Sequence, residues 1–157
     1  MTYDPSVNKM WAGFLDKNFK DGDRPEAYSF VFRFGDSEAL TAELLSLVLE
    51  GKKQATAYSP WFFEHDGQSI PQAGDYSISI DWEGKARCII QTVQTRIVPF
   101  DEVDEEFARM EGEGDLSLAY WRKAHETYFS RECERIGKPF SYQMPVFCEV
   151  FKVVYSE

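Results

Sequence analysis

The chain has 157 residues, 43% of them hydrophobic and 28% charged, which suits about one soluble globular domain and excludes a disordered chain, a collagen-like fibre and a disulfide-dense miniprotein. Lys and Arg number 17 against 27 Asp and Glu, a net charge of −10 that repels long phosphate polymers, so double-stranded DNA and tight non-specific nucleic-acid binding are not expected. No apolar run approaches the ~20 residues of a membrane span, and the opening MTYDPSVNKM has no apolar core after a basic start, so no membrane partner and no signal peptide are expected.

Asp4-Pro5 reads as a helix start, with Asp as cap and Pro at the first helical position. Val7, Met10, Trp11, Phe14 and Leu15 follow at helical spacing, which predicts an amphipathic N-terminal helix over 5–19. Tyr28 to Phe34 is a short extended segment. Asp36 or Ser37 caps a second helix whose buried stripe is Leu40, Leu44, Leu47 and Val48, with Gly51 as its stop. The segment after Gly51 enters a strand, and Ser59 to Pro71 is a loop or short helical turn. Tyr76, Ile78 and Ile80 alternate with Ser77, Ser79 and Asp81, the pattern of a half-buried strand. Ala86 to Val98 is rich in Ile, Val and Thr and long for one strand, so a bend or bulge is expected, with Pro99 ending it. Val103 to Met110 is a short helix. Leu118, Trp121, His125, Phe129, Cys133 and Ile136 share one face of a long helix ended by Gly137. Pro145 to Tyr155 is a closing strand. Strands and helices do not alternate regularly, which argues against a doubly wound parallel sheet. The reading is a single α+β domain over 1–157: a small mixed β-barrel with helices packed outside.

Cys88, Cys133 and Cys148 are widely spaced and odd in number, which suits three reduced thiols in a cytoplasmic protein. Zinc-ligand spacing is absent, so no metal and no cofactor are expected.

Four places carry candidate chemistry. In Gly51-Lys52-Lys53-Gln54-Ala55-Thr56 a lysine precedes a threonine by three residues. A buried, neutral Lys53 would be a base able to activate the Thr56 hydroxyl. The plainer reading is a basic helix end complementing the macrodipole. In Glu111-Gly112-Glu113-Gly114-Asp115 the spacing fails the EF-hand pattern, since the twelfth position is Arg122. Asp115 reads as the cap of the long helix. Glu111 and Glu113 are either a solvated loop or carboxylates placed for proton transfer. His125, on an apolar face, is a satisfied structural histidine or a proton shuttle. Glu149 between Phe147 and Phe151 must pair or line a cavity, and Arg33 binds an anion or pairs with an acid.

Several of these segments together resemble the ASCH domain family of the PUA-like superfamily, in its larger bacterial form. They are Phe34-Gly35-Asp36-Ser37, Leu49 to Thr56, Gly74-Asp75, Ile97 to Phe100, Phe107 to Asp115, Trp121, and Pro145 to Phe151. The resemblance covers about residues 30–155, with the N-terminal helix as an extension. It implies a PUA-like β-barrel with flanking helices and a link to RNA. Some members look like amidohydrolases that remove the acyl group from acetylated cytidine with a Lys, a Thr and a Glu; these map onto Lys53, Thr56 and Glu111. Others look like ribonucleases acting on single-stranded RNA with the same lysine.

The favoured function is therefore hydrolysis of an acyl-amide on a nucleoside such as N4-acetylcytidine. Neutral Lys53 would take the Thr56 proton and Glu111 would protonate the leaving amine. Arg33, Glu113, Trp121 and Glu149 are the expected substrate-binding residues. The alternatives are cleavage of single-stranded RNA along a groove built from Lys52, Lys53, Arg33, Lys85, Arg87 and Arg96, and RNA binding without catalysis.

Overall fold

A computed structural model describes residues 2–157. The elements in chain order are α1 (Pro5–Asn18), β1 (Phe30–Phe32), α2 (Glu38–Leu49), β2 (Ala55–Tyr58), α3 (Pro60–His65), β3 (Tyr76–Ile80), β4 (Ala86–Pro99), α4 (Glu105–Glu111), α5 (Leu118–Ile136) and β5 (Pro145–Ser156). The strands form one mixed sheet in the order β1-β3-β4-β5-β2. Only β1 and β3 run parallel. No ladder joins β1 to β2 among the described residues, so the sheet is not closed into the barrel the sequence suggested.

Local chemistry sets most boundaries. Asp4 accepts from the Ser6 amide ahead of Pro5, and Ser37 accepts from the Leu40 amide. β4 shifts register at Ile89/Ile90 and Thr92/Gln94, the bulges its length required. Asp115 does not cap α5. Ser117 does, accepting from Tyr120, while Asp115 binds the Ser117 amide just before it.

The helices bury the sheet from both sides. Val7, Met10, Trp11 and Phe14 of α1 pack on Val31, Ile78 and Ile89. Leu44, Leu45 and Val48 of α2 pack against Cys88, Ile90 and Phe151. Beyond β2, α4 and α5 cover Ala55, Ala57, Val146 and Cys148. Hence β3 is not half-exposed as its alternation suggested: Ser77 and Ser79 are as buried as Ile78, and both hydroxyls lack a protein partner. The three thiols are free and buried. No helix among the described residues is long and apolar enough to cross a membrane.

Alternation along β5 decides what faces where. Val146, Cys148 and Val150 turn toward α4 and α5 with Ala55 and Ala57. Phe147, Glu149 and Phe151 turn to the opposite face, where the register sets Glu149 against Thr56 and Phe147 against Tyr58. Phe147 and Glu149 line a cavity on that face.

Candidate functional site

The link from α2 to β2 is pinned by backbone bonds. Lys52 and Lys53 amides both donate to the Leu47 carbonyl at 2.9 and 3.0 Å. Gln54 donates to the Met110 carbonyl at 2.7 Å and accepts from the Phe151 amide at 3.0 Å. Lys53 is thereby held against the C-terminal end of α4, whose last residue is Glu111. Gly112 makes the approach possible. Its φ is +72°, and a Cβ there would lie 2.3 Å from the Lys52 carbonyl oxygen.

The result is a buried charge cluster. The Lys53 ammonium lies 2.9 Å from Glu113 Oε2 and 3.4 Å from both Glu111 Oε1 and the Glu111 carbonyl. Lys53 is 2% exposed, Glu111 1% and Glu113 20%. The other Glu111 oxygen, Oε2, accepts from the Trp121 indole N–H and lies 2.9 Å from His125 Nε2. His125 Nδ1 faces the Trp121 carbonyl at 2.9 Å, and the two rings stack 4.1 Å apart.

Proton positions follow from these contacts. Burial opposes the charge on Lys53, but the Glu111 and Glu113 carboxylates outweigh it and hold the ammonium above its ordinary range. Burial likewise opposes ionisation of Glu111, yet Lys53 and His125 prevail and pull its carboxyl below the usual range. Both His125 nitrogens face acceptors, and Glu111 overcomes burial to raise its pKa, so the ring carries two protons. The resting lysine is thus not the neutral base expected from the sequence. Glu111, saturated by three donors, rests as an anion rather than as an acid with a proton to give.

Glu111, Glu113 and His125 bring ligand atoms within 4.8 Å of one another, as in a metal site. The Lys53 ammonium already supplies the positive charge there.

Lys53, Thr56, Glu111, Glu113, His125, Glu149 and Arg33 line one cavity of about 330 Å³, at the small end of the ~300–1,000 Å³ typical of small-molecule sites. Its walls are strongly aromatic, with Phe30, Phe32, Phe34, Tyr58, Phe63 and Phe147 joined by Tyr120 and Tyr128 of α5. Glu149 is 5% exposed and among the described residues accepts only from the Thr92 hydroxyl, at 2.7 Å on Oε2. Burial pushes its carboxyl up to about 7, with that hydroxyl pulling the other way. The Arg33 guanidinium is turned to the β3–β4 turn, donating to the Asp81 and Trp82 carbonyls and stacking on the Trp82 ring. Trp121 stands behind Glu111 and not on the cavity wall.

The basic residues suggested for an RNA groove are not gathered. Of that set only Arg33 and Lys53 line the cavity, which Arg131 of α5 also lines. Lys52, Lys85, Arg87 and Arg96 sit in pairs with Glu50, Asp4, Asp81 and Asp104.

The sequence left His125 between a structural role and a proton shuttle, and its spacing of four from Trp121 placed both on one helix face. The aromatic walls and Ser77 gave no signal of their own.

A family model described as the ASCH domain matches residues 30–155. Two solved structures are closely similar. An ASCH domain from Lactobacillus crispatus JV V101 shares 32% identity at a TM-score of 0.88, over 99% of this chain and 98% of that one. A protein from Enterococcus faecalis V583 shares 33% identity at a TM-score of 0.82, over 94% of this chain and 87% of that one. No curated protein matches the chain.

Proposed function

Because the chain belongs to the ASCH domain family, a PUA-like RNA-binding fold, we propose that its cavity binds an acylated nucleoside and hydrolyses the acyl-amide bond, with N4-acetylcytidine as the substrate. One observation carries the reading: a hydroxyl nucleophile candidate, Thr56, shares a small aromatic cavity with a buried lysine flanked by two carboxylates. The aromatic walls suit a flat base. The net charge of −10 and the pairing of the outlying basic residues favour a nucleoside over a long RNA.

The proton states redistribute the roles expected from the sequence. Lys53, already charged, stabilises the oxyanion that forms on the acyl oxygen. Thr56 Oγ attacks the acyl carbon, and its proton passes to Glu113, the carboxylate with access to the cavity. The C–N bond breaks as Glu113 returns that proton to the leaving nitrogen, which departs as the amine of cytidine. Water then attacks the acyl-Thr56 ester by the same route and releases acetate. Glu111, itself held by Trp121 and His125, keeps Lys53 in place. Proton transfer of this kind contributes ~10²–10⁴ in rate. Three buried thiols suit a reducing, cytoplasmic setting.

The test is release of cytidine and acetate from N4-acetylcytidine. The native chain and Thr56→Ser should turn over, and Thr56→Val, of the same size, should not. Lys53→Ala should be inactive and Lys53→Arg severely slowed. No turnover by the native chain, or equal turnover by Thr56→Val, overturns the proposal. Fragments released from single-stranded RNA by the native chain but not by Lys53→Arg would support the ribonuclease instead.

A further inference from the structure

We propose that Glu149 is the specificity-determining residue of the cavity: its carboxyl presents one hydrogen-bond donor and one acceptor to an amidine-type edge, a ring nitrogen beside an exocyclic N–H. The proposal rests on the nucleoside reading above and names the part of the base that is recognised.

Glu149 is an acid without an ionic partner. It is buried, it makes no salt bridge among the described residues, it shares the cavity with Phe147, Ile90, Thr56 and Ser77, and the charge that acts on it is that of Asp75, which like burial favours the neutral acid. A buried carboxyl left in that state is costly unless something completes its hydrogen bonding. The protein supplies only half. Thr92 donates to Oε2, while Oε1 has no protein partner among the described residues. Burial pushes the carboxyl up to about 7, so the neutral acid prevails below that pH. With Oε2 fixed as an acceptor by Thr92, the proton belongs on Oε1. The cavity therefore sees an O–H beside a C=O.

That pair matches a ring nitrogen with an adjacent exocyclic N–H: O–H to the ring nitrogen, and exocyclic N–H to Oε2, whose second lone pair is free. An acyl group on the exocyclic nitrogen leaves this edge intact, because one N–H remains. Strand register then aims the substituent. Thr56 is the cross-strand partner of Glu149, and such partners have Cβ atoms ~4.5–5.5 Å apart on one face. A group attached to the nitrogen held by Glu149 sits beside the Thr56 hydroxyl. Recognition of the edge and placement of the acyl carbon follow from one pairing.

The experiment is calorimetric binding of two nucleosides at pH 6, below the point where Glu149 ionises. Cytidine presents the full edge; 3-deazacytidine has a C–H in place of the ring nitrogen. The native chain should bind cytidine at least about ten-fold tighter. Glu149→Gln, which offers an N–H and a C=O in the same places, should keep the preference. Glu149→Ala, checked by circular dichroism to be folded, should lose it. Equal binding of the two nucleosides by the native chain, an undiminished preference in Glu149→Ala, or no binding of either overturns the proposal. Binding needs no turnover, so the two readings separate. Edge-dependent binding without hydrolysis keeps Glu149 and sinks the enzyme. Hydrolysis of N4-acetylcytidine with an unchanged KM in Glu149→Ala keeps the enzyme and sinks Glu149.

Discussion

Replacing Lys53 by Met tests whether the buried cluster is an ion pair or merely a contact. The substitution keeps the length and apolar stem of the side chain and removes the ammonium 2.9 Å from Glu113 and 3.4 Å from Glu111. Glu113 is partly exposed and can turn to water at little cost. Glu111 is 1% exposed and cannot. Breaking a buried pair by removing one partner costs ~3–5 kcal/mol. Because Trp121 and His125 still donate to Glu111, the lower end applies, about 3 kcal/mol. At ~2–4 °C per kcal/mol for a chain of this size, the melting temperature at pH 7 should fall by roughly 6–12 °C. Adding Glu111→Gln removes the orphaned charge, so the double variant should be less destabilised than the two single losses combined, by at least about 1 kcal/mol. The pH profile should agree. Glu111 has its folded pKa lowered, so its stabilisation is present above its unfolded value near 4.5 and is lost as pH falls through the folded value. That acid-side slope should shrink in Lys53→Met. Urea unfolding followed by circular dichroism reads all of these quantities. A single variant within about 1 kcal/mol of native, or strict additivity in the double variant, would refute the reasoning.

Glu149 has the opposite sign. Its folded pKa is raised to about 7 from 4.5, so its stabilising contribution is complete below pH 4.5 and lost as pH rises through 7. Glu149→Gln should gain up to about 3 kcal/mol on the native chain between those pH values, and a difference that does not vary with pH would contradict this. Gly112→Ala combines a positive φ with a Cβ 2.3 Å from the Lys52 carbonyl oxygen, so it should cost more than about 2 kcal/mol and abolish turnover. Gly51→Ala is the control: its φ is +78° but its Cβ meets open space, and urea unfolding should show a loss of only ~1–2 kcal/mol.

What was legible in the sequence was local. Asp4-Pro5, Ser37 and the spacing of Val7, Met10, Trp11 and Phe14 need only their own neighbours to specify a helix and its start. The β-branched run of β4 announced its length and its bulges. The segments shared with the family point to Lys53, Thr56 and Glu111 from the sequence alone. What stayed hidden depends on contacts distant along the chain. Ser77 and Ser79 alternate as if half-exposed, but α1 covers one face of β3 and α2 the other. Closure of a barrel turns on a β1–β2 ladder that no single strand reveals. The charge on Lys53 is set by carboxylates 58 and 60 residues away, so a neutral amine was a fair inference from burial alone. The sequence left the role of His125 open because its partner, Glu111, lies on another helix.

The ammonium of Lys53 has three N–H donors and faces three acceptors: Oε1 and the carbonyl of Glu111, and Oε2 of Glu113. A substrate oxygen reaches that ammonium only by displacing one of them. Glu111 is locked on both carboxylate oxygens and its carbonyl belongs to the end of α4. Glu113, 20% exposed and on the cavity wall, is the partner that can yield. Its release does two things together: it frees one Lys53 donor for the oxyanion and leaves a carboxylate with an unfilled lone pair on the wall of the cavity that Thr56 shares. The two acids should therefore part ways on mutation. Glu113→Gln should keep a melting temperature within about 4 °C of native, since Glu113, 20% exposed, can turn to water and its loss costs ~1 kcal/mol or less, while kcat falls by ~10²–10⁴. Glu111→Gln should lower stability by several kcal/mol, because it leaves Lys53 and His125 facing a neutral amide. If Glu113→Gln turns over N4-acetylcytidine at the native rate, the proton does not travel through Glu113.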